Sequence, residues 1–327
     1  MKQHVAKSIF SFFLTVSVIL TLFACTKTAP VTENGNLIKI GIINNDPNES
    51  GYRVANDADM RRVFTKENGY DASFSYNLNN SKQIEYAKQY IKDGVDYLLI
   101  SAADTTGWEE TLTMARDAGV KVILFDRKID VSEDLYEASI ISDMDEEGRT
   151  ASEWLKNQNL DEYKIIHIQG VMGTAAQRGR SGALQNYASE NGWKIVKEAS
   201  CDWQADKAES LVANVIKSGV DFNVIYAEND DMAKGAVAAL DAAHITHGVG
   251  KSVVIIGFDC NKWALEELLE QEWNYDGQCN PFQAQTVDEV IRKLENNETL
   301  PSKTIILDEK GFDATTITAE DIENFGI

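Results

Sequence analysis

The chain alternates between two hydrophobic patterns from about Leu37 to Leu307. Short, almost wholly apolar runs follow longer stretches in which apolar residues recur every three to four positions. The first pattern is typical of strands that are buried on both faces, and the second is typical of helices that cover such strands. Their alternation predicts parallel sheets between layers of helices, which is an α/β fold.

Glycine marks the junctions between these two patterns. A helical stretch, then Gly and Val, then an apolar run recurs at Gly94-Val95, Gly119-Val120 and Gly219-Val220. Glycine at this place permits the left-handed backbone that ends a helix. About ten strands in roughly 290 residues are too many for one comfortable open sheet. We therefore predict two doubly wound parallel-sheet domains.

The N-terminal residues predict an export signal rather than part of the fold. Two lysines precede a mostly apolar run from Ile9 to Ala24, and the Leu-Phe-Ala-Cys that ends at Cys25 resembles the lipobox of bacterial lipoproteins. We predict a signal peptide over residues 1–24, lipidation of Cys25 and a polar tether over residues 25–36. A permanent membrane anchor is the alternative, and either one places the rest of the chain outside the cytoplasm.

Composition and charge exclude several classes of protein. The 327 residues are 43% hydrophobic and 9% aromatic, which is normal for a globular protein. A net charge of -21 repels phosphate backbones, so we expect no nucleic-acid partner. We find no nucleophile motif and no cofactor motif, and we predict a protein that is neither an enzyme nor dependent on a cofactor.

Cysteine and histidine do not predict a metal site. With Cys25 lipidated, three cysteines remain and cannot all pair, so free buried thiols are expected, with a Cys260–Cys279 disulfide as the alternative. The His244-x-x-His247 pair lacks a third ligand nearby. His167 lies within an apolar run and is expected to be a core residue.

Polar residues follow nearly every predicted strand. In doubly wound sheets, ligands bind beyond the carboxyl ends of the strands. Asp and Asn also cap helices, so each position alone is ambiguous. Together with arginine and aromatic residues they suit a polyhydroxylated ring, because carboxylates and amides bind hydroxyls and flat rings cover apolar faces. The strand ends are Asn44-Asn45-Asp46, Ser101, Asp126-Arg127, Ser142-Asp143, Asp202-Trp203, Glu228-Asn229-Asp230 and Asp259.

These strand ends resemble those of the periplasmic sugar-binding proteins of the ribose/galactose class, which have the type I periplasmic binding protein fold. Within that class the chain is similar to the galactofuranose-binding proteins of bacterial ABC transporters. The likeness covers about Leu37 to Leu307. Its motifs are Glu49-Ser50-Gly51-Tyr52-Arg53, Thr106-Gly107-Trp108-Glu109, Phe125–Asp130, Asn229-Asp230-Asp231-Met232 and Ile256-Gly257-Phe258-Asp259.

The resemblance implies a set of ligand-binding residues. Tyr52 and Trp203 would lie against the sugar ring from the two lobes, and the remaining residues would bind its hydroxyls. Those polar residues are Arg53, Asp126, Arg127, Arg178, Asn229, Asp259 and Gln278. Tyr52 stands where the galactofuranose binders have Trp, Gln177 stands where an Asp is expected, and Gln278 replaces an acid. Pentoses, hexoses in either ring form and cyclic polyols therefore all remain open as ligands.

The resemblance also implies two lobes joined by a three-strand hinge that closes around the ligand. We predict an N-terminal lobe of residues 37–142 and 280–307, and a C-terminal lobe of residues 143–279 and 308–327. The expected function is delivery of a monosaccharide to an ABC-type permease by a monomeric, membrane-anchored protein. Alternatives are a sensory module for a chemoreceptor or membrane kinase, an exported sugar enzyme, and the core of a lactose-repressor-like regulator.

Overall fold

The computed structural model describes residues 36–327. The predicted signal peptide, the lipidation site at Cys25 and the tether up to residue 35 lie outside the described residues. No helix within residues 36–327 has the length and apolar character needed to cross a bilayer. The twelve strands within this range are β1 (Ile38–Asn44), β2 (Tyr70–Tyr76), β3 (Tyr97–Ile100), β4 (Lys121–Asp126), β5 (Ala138–Ile141), β6 (Lys164–Gln169), β7 (Lys194–Ser200), β8 (Val224–Ala227), β9 (Val254–Phe258), β10 (Tyr275–Gly277), β11 (Thr304–Ile306) and β12 (Gly311–Asp313).

Helices cover both faces of the sheets. The ten α-helices of the described residues are α1 (Gly51–Val63), α2 (Asn80–Asp93), α3 (Glu109–Asp117), α4 (Met144–Lys156), α5 (Ala175–Asn191), α6 (Ala205–Ser218), α7 (Asp230–Ala242), α8 (Lys262–Leu269), α9 (Ala284–Glu295) and α10 (Ala319–Phe325). A short 3₁₀ helix spans Glu133–Leu135.

The strands form two six-stranded sheets with the same order. The first runs β2-β1-β3-β4-β5-β11 and is parallel throughout, and the second runs β7-β6-β8-β9-β10-β12 with only β12 antiparallel. We call the first sheet and its helices the first lobe, and the second sheet and its helices the second lobe. The predicted fold class, two doubly wound parallel-sheet domains, is confirmed.

Each sheet is buried on both faces, as its apolar strands predict. In β3, Tyr97 and Leu99 belong to one apolar cluster and Leu98 and Ile100 to another, because successive side chains of a strand point to opposite faces. The second sheet separates two further clusters in the same way. This double burial explains the continuous apolar runs in the sequence.

Glycine ends the helices at the predicted junctions. Gly94 and Gly219 directly follow α2 and α6 with φ of 71° and 75°, and Gly119 follows α3 one residue later with φ of 76°. A residue with a β-carbon is disfavoured in this left-handed region. The chain can therefore turn directly into the next buried strand.

The chain passes between the two sheets three times. The passages lie between β5 and α4, between β10 and α9, and between β11 and β12. Asp143, Asn280 and Asp308 lie in these three segments. We call these three segments the hinge segments. Cys201, Cys260 and Cys279 are buried free thiols.

Candidate functional site

A cavity of about 330 Å³ lies between the two lobes, beyond the carboxyl ends of the strands. In doubly wound folds this is the position at which ligands bind. Both lobes contribute to its wall. The lining residues are Glu49, Ser50, Tyr52, Arg53, Asp126 and Arg127 from the first lobe, and Met144, Ala176, Arg180, Trp203, Asn229, Asp259 and Cys279 from the second lobe and the hinge segment that follows β10.

The first lobe contributes a compact cluster of charges centred on Asp126. Arg53 Nη1 lies 2.6 Å from Asp126 Oδ2, and Arg53 Nε lies 3.2 Å from Glu49 Oε2. The hydroxyls of Tyr52 and Ser101 donate to the two oxygens of Asp126 at 2.9 and 2.5 Å. The Asp126 carboxylate is thus held in one orientation at the end of β4.

This cluster keeps Asp126 ionised although it is buried. Burial by itself raises the pKa of a carboxyl, but the charges of Arg53 and Arg127, with the Ser101 hydroxyl, lower the pKa of Asp126 below its ordinary value. Burial and the neighbouring Asp126 charge raise the pKa of Tyr52, so its phenol stays a hydrogen-bond donor. The first lobe therefore presents fixed charges to a ligand.

Arg180 of α5 organises the second lobe's side of the cavity. Its Nε lies 2.7 Å from Glu147 Oε2, Nη2 lies 3.4 Å from Asp259 Oδ1, and Nη1 donates to the backbone oxygen of Glu228. The Arg180 side chain is 2% exposed and packs 4.7 Å from the centre of the Phe258 ring. One guanidinium is thus shared among several acceptors.

The second lobe has more buried carboxyls than cations. Burial raises the pKa of Asp259 to about 7, since Arg180 offsets the loss of water only in part. Burial raises the pKa of Asp276 to about 8, and it raises that of Asp230 well above its ordinary value. Asp230 Oδ2 accepts hydrogen bonds from the backbone and side-chain amides of Asn261 at 2.8 and 3.0 Å.

Two aromatic rings flank the cavity, one from each lobe. Tyr52 and Trp203 are each 5% exposed, and both belong to the apolar cluster that forms the core of the second lobe. The Trp203 ring packs directly on Gly170, where an added β-carbon would lie 1.9 Å from the ring. The indole nitrogen of Trp203 has no hydrogen-bond partner within the part of the chain that the structure describes.

Backbone strain is concentrated at the strand ends that carry these residues. Asp126, Trp203 and Asp259 have φ of 66°, 65° and 107°. Residues with side chains seldom adopt positive φ, and such residues tend to occur at functional sites, where the surrounding structure holds them in place. The strain here orients two carboxylates and one aromatic ring toward one cavity.

Seven of the nine predicted ligand-binding residues line this cavity: Tyr52, Arg53, Asp126, Arg127, Trp203, Asn229 and Asp259. Asn229 also caps α7, because its Oδ1 accepts from the Met232 N–H at 3.0 Å. The capping role and the cavity position are therefore compatible at this residue.

The structure places Arg178 outside the cavity and Arg180 within it. The Arg178 side chain is 52% exposed, and its Nη2 donates to Thr105 Oγ1 at 3.1 Å and lies 3.6 Å from Asp130. Residues two apart on a helix point to nearly opposite sides, since each residue turns the helix by about 100°. Arg178 therefore lies at the rim between the lobes while Arg180 faces inward.

Gln278 likewise lies outside this cavity. It follows β10 and lines a separate cavity at the hinge segments, where its backbone N–H donates to Lys310 O at 2.9 Å. Its neighbour Cys279 lines the ligand cavity instead. Successive residues of an extended chain point in opposite directions, so a shift of one position exchanges the two.

Sequence reasoning missed several lining residues. Glu49 stands within the motif that predicted Tyr52 and Arg53, and its i,i+4 spacing from Arg53 is the signal that identifies it. Met144, Ala176 and Cys279 are apolar or weakly polar, so no local pattern distinguishes them from core residues.

The lobes also contact each other at both rims of the cavity. At one rim the Gly51 N–H donates to Asp231 Oδ2 at 3.2 Å, and a β-carbon on Gly51 would lie 1.9 Å from Asn261 Oδ1. At the other rim Arg178 reaches Thr105 and Asp130. The cavity is therefore bounded by direct contacts between the lobes.

His167 supports the second lobe from within the core. Its two ring nitrogens lie 2.8 Å from Glu198 Oε2 and 2.9 Å from Glu228 Oε1. Burial lowers the pKa of His167, but the hydrogen bonds to these two carboxylates outweigh burial and raise it above its ordinary value. Glu228 Oε2 accepts a hydrogen bond from the Gly170 N–H at 2.8 Å. This bond links the His167 network to Gly170, the residue on which the Trp203 ring packs.

Comparison with known proteins identifies the family of this chain. Residues 40–289 match the family described as periplasmic binding protein domain. The fructose import binding protein of Bifidobacterium longum is 28% identical over 82% of this chain and 82% of its own length. The galactofuranose-binding protein of Escherichia coli is 27% identical over 78% of this chain and 81% of its own length.

A solved structure has the same fold. It is the binding-protein component of the arabinose ABC transporter from Shewanella sp. ANA-3, bound to α- and β-L-arabinofuranose. It superposes with a TM-score of 0.80 at 25% identity, covering 88% of this chain and 95% of that protein.

Proposed function

Since the chain belongs to the periplasmic binding protein family, whose members bind solutes and are not enzymes, we propose that it binds a neutral monosaccharide between its two lobes for an ABC importer. The main observation is the charge balance of the cavity. Three carboxylates, Glu49, Asp126 and Asp259, stand against three guanidinium groups, those of Arg53, Arg127 and Arg180. An ionic ligand would leave an unpaired buried charge, whereas hydroxyls bind both kinds of group.

The two aromatic rings support a ring-shaped ligand. Tyr52 and Trp203 are rigid, buried surfaces suited to the apolar faces of a sugar. A relative named for galactofuranose and a structural neighbour that holds arabinofuranose favour the five-membered ring form for this ligand. Seven predicted residues, together with Glu49 and Arg180, form the proposed binding set.

Thermal unfolding in the presence of single sugars tests this proposal. A true ligand at a thousandfold excess over its Kd adds about 4 kcal/mol, which raises the midpoint by several degrees. We expect a shift with at least one neutral sugar that readily forms a furanose, such as arabinose, galactose, fructose or ribose. Carbon-13 NMR of the labelled sugar then reports the bound ring form.

Two results would contradict the proposal. One is the absence of a shift with every neutral sugar and cyclic polyol. The other is a shift with only acidic or amino ligands, because a charge-balanced cavity does not favour them. Arg127→Ala serves as the binding-site variant, and Lys217→Ala, on the exposed end of α6, serves as its control.

We further propose that binding closes the hinge. The two rims hold the lobes together through Gly51 with Asp231 and through Arg178 with Thr105. We propose that the lobes that move are residues 37–142 with 280–307 and residues 143–279 with 308–327. A ligand that contacts both lobes shifts the protein toward the closed form. Small-angle scattering should show a smaller radius of gyration with the sugar than without it; an equal radius would contradict closure.

Export and lipid anchoring complete the proposal. The segment ending at Cys25 supports anchoring outside the cytoplasm, where the relatives are periplasmic proteins by family. Labelling with a radioactive fatty acid should modify the wild-type chain and not Cys25→Ser. Cys201→Ser is the matched control, because Cys201 is buried in the fold. Labelling of Cys25→Ser would contradict the lipidation site.

A further inference from the structure

Three side chains with metal-binding chemistry meet at the hinge, beside Arg180 rather than in the first lobe's charge cluster. They are Glu147 on α4, Cys279 after β10 and Glu309 between β11 and β12. One ligand atom from each lies within 4.8 Å of the other two. Glu147 and Cys279 are 6% and 3% exposed, so most of the group is shielded from water.

Glu147 has an unused acceptor in this group. Its Oε2 pairs with Arg180, but its buried Oε1 has no hydrogen-bond partner among residues 36–327. A buried carboxylate oxygen without a partner is unfavourable, because it has lost water and gained nothing in return. This oxygen is available to a proton, a water molecule or a cation.

The charged groups around Glu147 have an excess of negative charge that a divalent cation would neutralise. Glu147, Glu309 and the nearby Asp259 face a single guanidinium, that of Arg180, so the carboxylates exceed the cations by two when all are ionised.

A second cavity of about 660 Å³ gives access to the group from the hinge side. Its wall includes Glu147 and Glu309 and carries five carboxylates and one lysine, which concentrates cations. The charged lining residues are Asp143, Glu146, Glu147, Asp308, Glu309 and Lys310.

We propose that Glu147, Cys279 and Glu309 form a binding site for a divalent transition-metal ion of the zinc class. One thiolate and two carboxylates provide three protein ligands and leave a fourth position for water, which suits tetrahedral zinc. Calcium and magnesium favour all-oxygen sites, so the thiol selects against them. Binding releases the thiol proton to solvent, since the thiolate is the form that binds a metal ion.

The site would act on the hinge. Glu309 Oε1 accepts from Ser142 Oγ at 2.6 Å and from the Asn280 N–H at 2.5 Å, so it already joins all three hinge segments. A metal ion on Glu309 and Cys279 that also binds Glu147 would tie these segments to α4. It would thereby restrict the hinge at the edge of the sugar cavity, which Cys279 also lines.

Cobalt(II) is the direct probe, because a cobalt–thiolate bond gives a near-ultraviolet charge-transfer band. We expect the full chain to develop this band with cobalt(II) and to lose it when zinc(II) is added. Cys279→Ser should abolish the band, and Glu309→Gln should weaken cobalt binding by at least about tenfold. Cys201→Ser, which removes a buried thiol of another region, should leave both unchanged.

The outcomes separate this proposal from sugar binding. Absence of the band in the wild-type chain overturns the metal site, whatever the sugar assays show. A band that survives Cys279→Ser arises from another thiol and also overturns it. If Cys279→Ser does not fold, Glu309→Gln decides, since it keeps the thiol and removes only one carboxylate charge.

Discussion

The two lobes share one cavity but balance their charges differently. In the first lobe, Glu49 and Asp126 are matched by Arg53 and Arg127, and the pKa of Asp126 lies below its ordinary value. In the second lobe, Arg180 alone faces several buried acids, and the pKa of Asp259 is raised to about 7. The first half of the site is therefore charged at any physiological pH, whereas the second half depends on protons.

The largest expected effect separates two arginines of α5. Arg180→Ala leaves Glu147 and Asp259 buried without their cation, and removing one partner of a buried pair costs about 3–5 kcal/mol. Arg178→Ala removes an exposed pair with Asp130 and should cost less than about 1 kcal/mol. Urea unfolding measures the free energy of unfolding of both variants. Equal losses would show that the buried pairs of Arg180 stabilise the protein no more than the exposed pair of Arg178 does.

The next largest effect on stability comes from replacing Asp by Asn, once in each lobe. Asp126→Asn removes the carboxylate that pairs with the buried Arg53, so it should lower the free energy of unfolding by about 3 kcal/mol. Asp259→Asn replaces a carboxyl that is already half protonated near pH 7, so its loss should stay under about 1 kcal/mol. Both variants should bind sugar more weakly. A larger loss of stability for Asp259→Asn than for Asp126→Asn would reverse the comparison.

A smaller effect follows from pH. Asp259, Glu147 and Asp276, with pKa values of about 7, 8 and 8, hold protons in the folded state that the unfolded chain loses above about pH 5. The unfolded state binds fewer protons in that window, so the free energy of unfolding should fall as pH rises from about 5 to 8, by about 1.4 kcal/mol per pH unit for each carboxyl that keeps its proton. His167 acts in the same direction, because its raised pKa contributes stability at low pH that is lost as pH rises through the folded value.

Urea titrations at several pH values measure this slope. Asp259→Asn should flatten it and Asp126→Asn should not, because the pKa of Asp126 is lowered and its stabilising effect is lost only in acid. A wild-type protein that gains stability between about pH 5 and 8 would contradict the protonated state of the second lobe.

The smallest expected effect is on sugar binding, and it comes from a change in packing alone in the second lobe. Gly170→Ala introduces a β-carbon into the Trp203 ring and should weaken sugar binding by about 1–2 kcal/mol without altering any charge. Gly182→Ala on α5 meets open space and should leave binding unchanged. Calorimetric titration measures both. Unchanged binding in Gly170→Ala would mean that Trp203 does not contact the ligand.

The fold followed from the sequence because its signals are local. Glycines that end helices and strands that are buried on both faces can be recognised from a few adjacent residues. Gly94 and the strand Tyr97–Ile100 are examples. Site residues at strand ends, such as Asp126 and Asp259, followed from the geometry of parallel sheets.

The remaining site residues depend on packing that no local pattern encodes. Arg178 and Arg180 are alike in sequence, and only the rotation of α5 decides which one faces inward. Cys279 and Glu309 come together only when the three hinge segments meet, so their contact with Glu147 has no signature in spacing.

Because Gly51 has no side chain, the two lobes can approach each other closely at one rim. A β-carbon at this position would lie 1.9 Å from the side-chain oxygen of Asn261, so a larger residue would push the lobes apart there. In the closed form that we propose, this rim limits how narrow the cleft becomes. A ligand too large for the cavity would keep the rim apart, so a partner that touches only the outer surface would sense ligand size without contacting the ligand.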